Sequence, residues 1–304
     1  MVDIGGRRLH LIESGTGPAV VFESGISATC LNWTRVRGEV AHFAHACAYD
    51  RAGLGWSDAA NSPRTMSAII DDLHGLMEAA QIPRPCVLVG HSFGGLLVRA
   101  HAAKYPSDVA ALVLVDPLSP REWLDVSPAQ ARMLRLGVRL SRRGALLARI
   151  GVVRAALALL MAGGRWIPKA VARASSGRGE SVIARLVGEV RKMPPETWPM
   201  VRSHWCAPKS FLAMAAYLEG LPASAAEAAA LRAPETIPII VLSAGNSTPE
   251  QLEEREEWAR RSQRGEHRVA RESGHWIQLD EPELVVEAIR QAIREAIRET
   301  IRPS

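Results

Sequence analysis

The amino-acid sequence predicts an α/β protein with a mostly parallel central sheet, flanking helices, and a helical segment inserted between two strands of the sheet. From Arg7 to about Asp116, short apolar runs that favour strands alternate with helical patterns, and the alternation returns after Pro238. Between about 118 and 237 no convincing strand pattern occurs. Strands that lack polar alternation and are separated by helices are typical of a parallel sheet buried on both faces.

The strand candidates of the first stretch are RRLHLIE, AVVFES, AHACAYD, CVLVGHS and ALVLVD, and those of the second are PIIVLSA and HRVARES. Helical patterns lie around 31–41, 66–80 and 94–104, then at 249–263 and from about Glu281 onward. In the last helix an isoleucine recurs every four residues, at Ile289, Ile293, Ile297 and Ile301. This line of isoleucines is expected to pack on the sheet. Contact with a partner or a membrane is the alternative use.

The inserted segment is rich in Ala, Leu and Arg at helical spacing. It is interrupted by Gly163-Gly164, Pro194-Pro195, Pro208 and Pro222. We expect residues 1–117 and 238–304 to form the core, and residues 118–237 to form a helical lid over it. A separate helical domain with no part in the site is the alternative.

Composition excludes several classes of protein. The 304 residues are 47% hydrophobic and 23% charged, which is ordinary for a globular protein with a core. The formal charge of +5 is spread along the chain, so no basic face for nucleic acid is expected. Four cysteines lack the close paired spacing of a zinc site or redox motif, and we expect them to be reduced packing residues: Cys30, Cys47, Cys86 and Cys206.

The sequence also argues against a membrane-inserted protein. Its first residues show no basic-then-apolar signal pattern. The longest apolar candidate, LLARIGVVRAALALLMAGG from Leu146, is broken by Arg149 and Arg154 and is too short between charges to span a bilayer. We therefore expect no stable membrane insertion and a cytoplasmic location; the oligomeric state is left open.

The strongest signal is a G-x-S-x-G pattern, Gly90-His91-Ser92-Phe93-Gly94, placed directly between a strand candidate and a helix candidate. A sharp strand-to-helix turn would lift the Ser92 hydroxyl clear of the sheet, with glycines on either side leaving room for neighbouring backbone. The pattern therefore predicts Ser92 as a nucleophile. A purely structural glycine-rich turn is the competing interpretation.

A serine hydroxyl needs a base to take its proton. Of the nine histidines, only His275 lies in a loop between a late strand and the last helix, where it could reach the carboxyl edge of the sheet. His91 is expected to pack within the turn, and His101 lies too far along its helix. His204 and His267 fit a lid helix and a strand, respectively. We therefore predict that His275 is the base.

The acid that orients this base is harder to predict. The loop after PIIVLSA offers Asn246, Ser247 and Thr248 before its first carboxylate, Glu250, which fits the first turn of a helix that begins at Thr248-Pro249. The end of ALVLVDP carries Asp116, and we assign the role there. Asp280, near His275 in the sequence, is predicted to be a helix N-cap. The oxyanion of a tetrahedral intermediate would be bound by the backbone N–H groups of Phe93 and Ile26.

Taken together, these segments resemble the α/β-hydrolase superfamily, specifically its lid-bearing serine esterase-like branch. The segments that carry the resemblance are ESGIS, YDRAGLGWSD, LVGHSFGG and ESGHWIQLDEPE. The order nucleophile, acid, base is that of the family. Ser24-Gly25 stands where many members have His-Gly, and the acid occupies the alternative strand end, as in a subset of relatives. The resemblance implies that YDRAGLGWSD is a structural turn, with Trp56 bordering the site.

The function expected from these residues is hydrolysis of a carboxylic ester through an acyl-enzyme on Ser92, with no cofactor and no metal. A hydrophobic acyl or alcohol part is favoured because large apolar residues recur in the insertion: Trp123, Trp166, Met193, Trp198, Met200, Trp205, Phe211, Met214 and Tyr217. Alternatives are an amidase, lactonase or C–C hydrolase with the same triad, or a non-catalytic ligand-binding protein. An epoxide or haloalkane hydrolase is disfavoured, because the resemblance implies an aspartate where Ser92 stands.

Overall fold

The computed structural model describes residues 1–60, 62–161, 190–232 and 234–301. Its main sheet has seven strands in the order β3-β5-β4-β6-β7-β8-β9, and every neighbouring pair is parallel except β3 with β5. These strands are β3 Leu11–Ser14, β4 Ala19–Glu23, β5 His45–Tyr49, β6 Cys86–His91, β7 Val109–Val115, β8 Ile239–Ala244 and β9 Gly265–Ala270. The predicted α/β class with a mostly parallel sheet is confirmed.

The first strand candidate, RRLHLIE, is divided in the structure. Its start forms β2, Arg8–Leu9, which pairs with β1, Val2–Asp3, in a separate two-stranded sheet. Its end forms β3, the antiparallel edge strand. The division falls at His10, whose backbone N–H donates to the Ser57 hydroxyl rather than to a strand.

Helices cover both faces of the sheet, as the apolar strand runs require. One face is covered by α1 (Thr34–Val40) and α11 (Pro282–Ile301), and the other by α2 (Met66–Ala79), α3 (Phe93–Lys104) and α9 (Pro249–Arg261). Successive residues of the central strands therefore enter two different cores. The four cysteines are buried and free, as predicted.

The final helix uses its isoleucine stripe only in part. Ile289 and Ile293 are buried in the core beside α1, whereas Ile297 is exposed because the helix extends past the sheet. The side chain of Ile301 lies outside the described residues. Packing on the sheet is thus confirmed for the first two positions.

In its described part, 118–161, 190–232 and 234–237, the predicted insertion consists of helices and connecting loops, and no strand occurs there. It contains α4 Arg121–Leu124, α5 Pro128–Arg149, α6 Val152–Met161, α7 Trp198–Trp205 and α8 Pro208–Ala230. The helix α8 joins the insertion to the core: the Tyr217 hydroxyl donates to the Ala52 carbonyl oxygen at 3.2 Å. The role of residues 118–237 as a lid remains a prediction.

Candidate active site

Ser92 lies at the sharp turn between β6 and α3. Its φ is +54° and its ψ is −120°, a conformation that costs energy for a residue with a Cβ atom. Its N–H donates to the Val115 carbonyl oxygen at 3.0 Å, which ties the turn to the end of β7. A Cβ atom at Gly90 would lie 2.5 Å from the carbonyl oxygen of Gly94, so glycine is required for the turn to close. The local geometry is therefore the one that the sequence pattern predicts.

Asp116 follows β7 and also has a positive φ, +40°. Its carboxylate Oδ2 lies 2.6 Å from Nδ1 of His275, 159 residues along the chain. Since an ionised carboxylate only accepts, this bond places the proton of a neutral His275 ring on Nδ1 and leaves Nε2 as the acceptor. The other oxygen, Oδ1, accepts from the backbone N–H of Ala244 at 2.9 Å.

Arg255, which the sequence analysis did not single out, is the second charged partner of Asp116. Its Nη1 donates to Asp116 Oδ1 at 2.7 Å and to the Ser247 hydroxyl at 2.8 Å, and its Nη2 donates to the Pro117 carbonyl oxygen at 2.8 Å. Both charged side chains are almost completely buried. In the sequence, an arginine within a charged helix does not show whether its side chain faces inward. The only signal was its spacing: Arg255 lies seven residues after the N-cap Thr248, about two turns into the helix that begins near the edge of the sheet.

The environment of Asp116 favours its ionised form. Burial alone would raise the pKa of this carboxyl. The hydrogen bond from His275, the Arg255 charge and the Ala244 N–H together outweigh burial and hold the pKa below its ordinary value. Asp116 is therefore a carboxylate at neutral pH.

His275 lies in the loop between β9 and the short helix α10 (Ile277–Asp280). Its backbone carbonyl oxygen accepts from Nε2 of His91 at 2.8 Å, and the two imidazole rings are 4.7 Å apart between centroids. Within the described ranges, the structure joins His275 to Asp116 but contains no hydrogen bond between His275 and the Ser92 hydroxyl. Catalytic hydrogen bonds of this kind are often long in unliganded proteins and tighten when substrate binds.

His91 is buried, as predicted, and holds the backbone of His275. Burial, assisted by the nearby His275 ring, lowers the pKa of His91 to about 3. The ring is therefore neutral, with its proton on the Nε2 that donates to the His275 carbonyl. His91 thus fixes the loop that carries His275.

The two predicted oxyanion donors come from adjacent segments. Phe93 is the first residue of α3, so its N–H has no partner within the helix. Ile26 lies in the loop after β4, and a Cβ atom at the neighbouring Gly25 would lie 3.6 Å from the Cβ of Ser92. That loop therefore packs directly against the turn that carries Ser92.

A buried charged cluster, which the sequence analysis missed, holds the same loop. Arg51 donates to the Gly25 carbonyl oxygen and lies 3.5 Å from the Glu23 carboxylate. The Tyr49 hydroxyl also donates to Glu23. The Arg51 guanidinium lies 4.9 Å above the ring centre of Tyr217, which belongs to α8. The cluster therefore connects the loop after β4 to the insertion.

The segment YDRAGLGWSD forms a tight turn. Asp50 accepts from the backbone N–H groups of Cys30 at 2.8 Å and Trp56 at 3.1 Å. Gly55 has a φ of +48° and leaves no room for a Cβ atom beside the Asp50 carboxylate. Trp56 packs against His204 of α7, with ring centroids 4.3 Å apart. These contacts agree with a structural turn.

Asp280, predicted to be an N-cap, is instead the last residue of α10. Its carboxylate accepts from the Gly274 N–H at 3.1 Å and pairs with Lys192 at 2.6 Å. The N-cap prediction was wrong because Asp280 belongs to the short helix α10. The long helix begins at Pro282, so Glu281 is the residue directly before it. The carboxylate of Asp280 steadies the loop that carries His275.

The apolar residues of the insertion contribute mostly to packing. Met193 and Tyr217 are buried, and several others pack against the cores: Trp123, Trp198, Met200 and Trp205. Trp166 lies outside the described residues. A cavity of about 480 Å³ lies between α5 and α8, and neither Ser92 nor His275 lines it. A hydrophobic substrate pocket therefore remains a proposal.

Among the residues that the structure describes, three groups of side chains bring metal-ligand types close together: His10, Cys30 and Asp50; Glu13, His45 and Cys47; His74, His101 and Asp108. In each group a histidine already pairs with a carboxylate, at 2.9, 3.1 and 2.9 Å respectively. None of the three includes Ser92, Asp116 or His275. The candidate active site is thus separate from these groups.

Comparison with known proteins shows which family and which solved structures this chain resembles. Residues 20–288 match the model of the family described as "Alpha/beta hydrolase family". A thermophilic esterase from Thermogutta terrifontis is 25% identical, with a TM-score of 0.63, covering 95% of this chain and 94% of its own. A putative epoxide hydrolase from Pseudomonas aeruginosa is 20% identical, with a TM-score of 0.71, covering 99% of this chain and 97% of its own; that likeness shows the fold.

The curated relatives are matched over shorter lengths. A 2-(acetamidomethylene)succinate hydrolase from Mesorhizobium japonicum is 31% identical over 131 residues, which cover 42% of this chain and 47% of that protein. The chain spans less than half the length of the first curated relatives it matches, 42%, 18% and 16% of them.

Proposed function

The chain belongs to the alpha/beta hydrolase family, and from that premise we propose that it is a serine hydrolase that cleaves carboxylic esters with a hydrophobic acyl or alcohol part. The observation that carries the proposal is the 2.6 Å bond between Asp116 and His275, at the edge of the sheet where Ser92 occupies a sharp turn. This combination supplies a nucleophile, a base and an orienting carboxylate in the family's chain order.

In the first step, Nε2 of His275 takes the Ser92 proton while Oγ attacks the ester carbonyl carbon. The carbonyl π electrons move to oxygen, and the N–H groups of Phe93 and Ile26 bind the resulting oxyanion, each worth about 3–4 kcal/mol of transition-state stabilisation. Asp116 stabilises the imidazolium without taking its proton. The tetrahedral intermediate then collapses, the C–O bond to the alcohol breaks, and the imidazolium protonates the leaving oxygen.

In the second step, water repeats the attack on the acyl-enzyme. His275 takes a proton from water, the new tetrahedral intermediate releases Ser92 Oγ, and the imidazolium returns the proton to Ser92. The products are the free acid and the regenerated serine. The insertion would cover this site as a lid, and its contact with Arg51 through Tyr217 would link the lid to the loop that carries Ile26.

The similarity to a thermophilic esterase supports ester cleavage. Similarity to a putative epoxide hydrolase extends to the fold alone, and Ser92 is not the aspartate that the resemblance implies for epoxide hydrolases. Amide, lactone and C–C substrates use the same catalytic groups, so the choice among them depends on the substrate pocket.

The test is labelling with a fluorophosphonate, which phosphonylates an activated serine. We expect stoichiometric labelling of the wild type, none for Ser92→Ala, and unchanged labelling for Ser107→Ala, which alters an exposed serine. Rates on p-nitrophenyl esters of increasing acyl length would then report the pocket. A folded wild type that is neither labelled nor active on any of these esters would contradict the proposal and favour a ligand-binding protein.

A further inference from the structure

The outer face of α5 carries an unusual line of exposed apolar side chains. Met133, Leu136, Leu140 and Leu147 are spaced by three, four and seven residues, so they lie along one side of the helix. Their exposed fractions are 57%, 47%, 52% and 44%. We call these four residues the apolar stripe. Isolated exposed leucines are common on proteins, but a continuous line of them marks an interaction surface.

A line of arginines runs beside the apolar stripe. Arg132, Arg139 and Arg143 are exposed and lie about 70° around the helix from the stripe, at 100° per residue. We call them the arginine row. From Pro128 to Met161 the chain carries no acidic residue and seven arginines: Arg132, Arg135, Arg139, Arg142, Arg143, Arg149 and Arg154. The expectation of positive charge spread along the chain was therefore wrong for this segment, where the charge is concentrated.

The opposite side of α5 already has a partner inside the protein. Val138, Ser141 and Ala145 are buried there, roughly opposite the stripe at 100° per residue. The apolar stripe therefore points away from the protein. Ile150 and Val152, exposed at the junction with α6, extend the apolar surface beyond the end of α5.

We propose that the apolar stripe and the arginine row bind the surface of an anionic phospholipid bilayer, with α5 lying parallel to the membrane plane. The leucines would enter the boundary between headgroups and acyl chains, and the arginines would bind lipid phosphates. No helix in the described part of the chain has the length and hydropathy to cross a bilayer, so the contact is peripheral. The inference is independent of the proposed ester hydrolysis.

Charge and shape favour this occupant over two others. A second copy of the same face would bring two arginine rows close together, with like charges unpaired. A nucleic acid would use the arginine row but leave the leucines of the apolar stripe in water. A bilayer with anionic lipids would bury the apolar stripe and pair the arginine row with lipid phosphates.

The test is co-sedimentation of the full chain with vesicles of phosphatidylcholine alone or mixed with phosphatidylglycerol. We expect binding to the mixed vesicles that weakens strongly as salt rises to about 1 M, where the Debye length is about 3 Å. Replacing the arginine row in R132Q/R139Q/R143Q should lower the partition coefficient by roughly two orders of magnitude. Replacing the stripe in L136S/L140S/L147S should lower it by at least roughly ten-fold. Thermal melting confirms that each variant is folded.

The matched control, R35Q/R260Q/R261Q, removes three exposed arginines elsewhere and should bind like the wild type. A wild type that stays in the supernatant with mixed vesicles refutes the proposal. So does a control that loses as much binding as the arginine-row variant. Binding that survives L136S/L140S/L147S but not R132Q/R139Q/R143Q would identify a general polyanion surface instead.

Discussion

Replacing Arg255 tests whether the active-site carboxylate depends on its buried cation. In Arg255→Leu, Asp116 Oδ1 keeps the Ala244 N–H at 2.9 Å and a 3.5 Å contact with Ser247, but loses the charged donor at 2.7 Å. Breaking a buried ion pair costs about 3–5 kcal/mol of unfolding free energy. The His275 and Ala244 bonds remain, so we expect a loss near 3 kcal/mol, visible as a lower denaturation midpoint.

The same change should alter catalysis in a way that lost stability alone does not. Without the Arg255 charge the pKa of Asp116 rises, because burial is then opposed by fewer groups. We expect kcat/KM for a p-nitrophenyl ester to fall by roughly 10- to 100-fold, about 1.4–2.7 kcal/mol of barrier. The acid limb of the pH–rate profile should move to higher pH. Arg255→Lys, which keeps the charge, should recover most of the rate.

Arg260→Leu is the matched control, since Arg260 lies on the same helix but pairs with Glu256 on the surface. It should leave both the rate and the pH profile unchanged. If Arg255→Leu were less stable yet kept the wild-type kcat/KM and pH profile, Arg255 would only support the fold, and its role in positioning Asp116 would be refuted.

Two further predictions concern buried groups outside the site. Burial lowers the pKa of His101 to about 4, so below about pH 6.5 the unfolded chain binds more protons than the folded protein does. The free energy of unfolding should therefore fall as the pH is lowered, by about 2 kcal/mol between pH 7 and pH 5. Urea unfolding at both pH values should show this loss, and His101→Gln should have a smaller pH dependence than the wild type; equal dependence would contradict it. The four thiols are buried and free: Cys30, Cys47, Cys86 and Cys206. A disulfide reagent should therefore react with them slowly in the native protein and rapidly with all four in denaturant. A rapid reaction in the native protein would contradict their burial.

Sequence patterns predicted the parts of this protein that depend on local chemistry. The strands β4 to β9 and their helices follow from apolar runs and caps, such as Thr248 and Pro249 at the start of α9. The turn at Ser92 follows from glycines whose replacement would collide with neighbouring backbone. In these cases the signal and the structure involve residues within a few positions of one another.

Contacts between distant segments were not predictable in the same way. Arg255 lies 139 residues from Asp116, and Arg51 lies 26 residues from Gly25. A buried arginine looks like a surface arginine in a sequence, because its inward direction depends on tertiary packing. The Asp280 prediction was wrong for a local reason, since an additional short helix ends at Asp280 and leaves Glu281 as the residue before the long helix.

The residues at the end of β8 explain how the carboxylate of Asp116 is accommodated directly after β7. The loop after β8 has no acid, and the residues there act as donors instead: the Ala244 N–H and, more distantly, the Ser247 hydroxyl face Asp116. Arg255, from the helix that follows this loop, bonds both Ser247 and Asp116. An aspartate in that loop would face Asp116 and raise its pKa by repulsion between like charges. The acid after β7 and the donors after β8 therefore meet one electrostatic requirement: a single buried carboxylate that stays ionised beside His275.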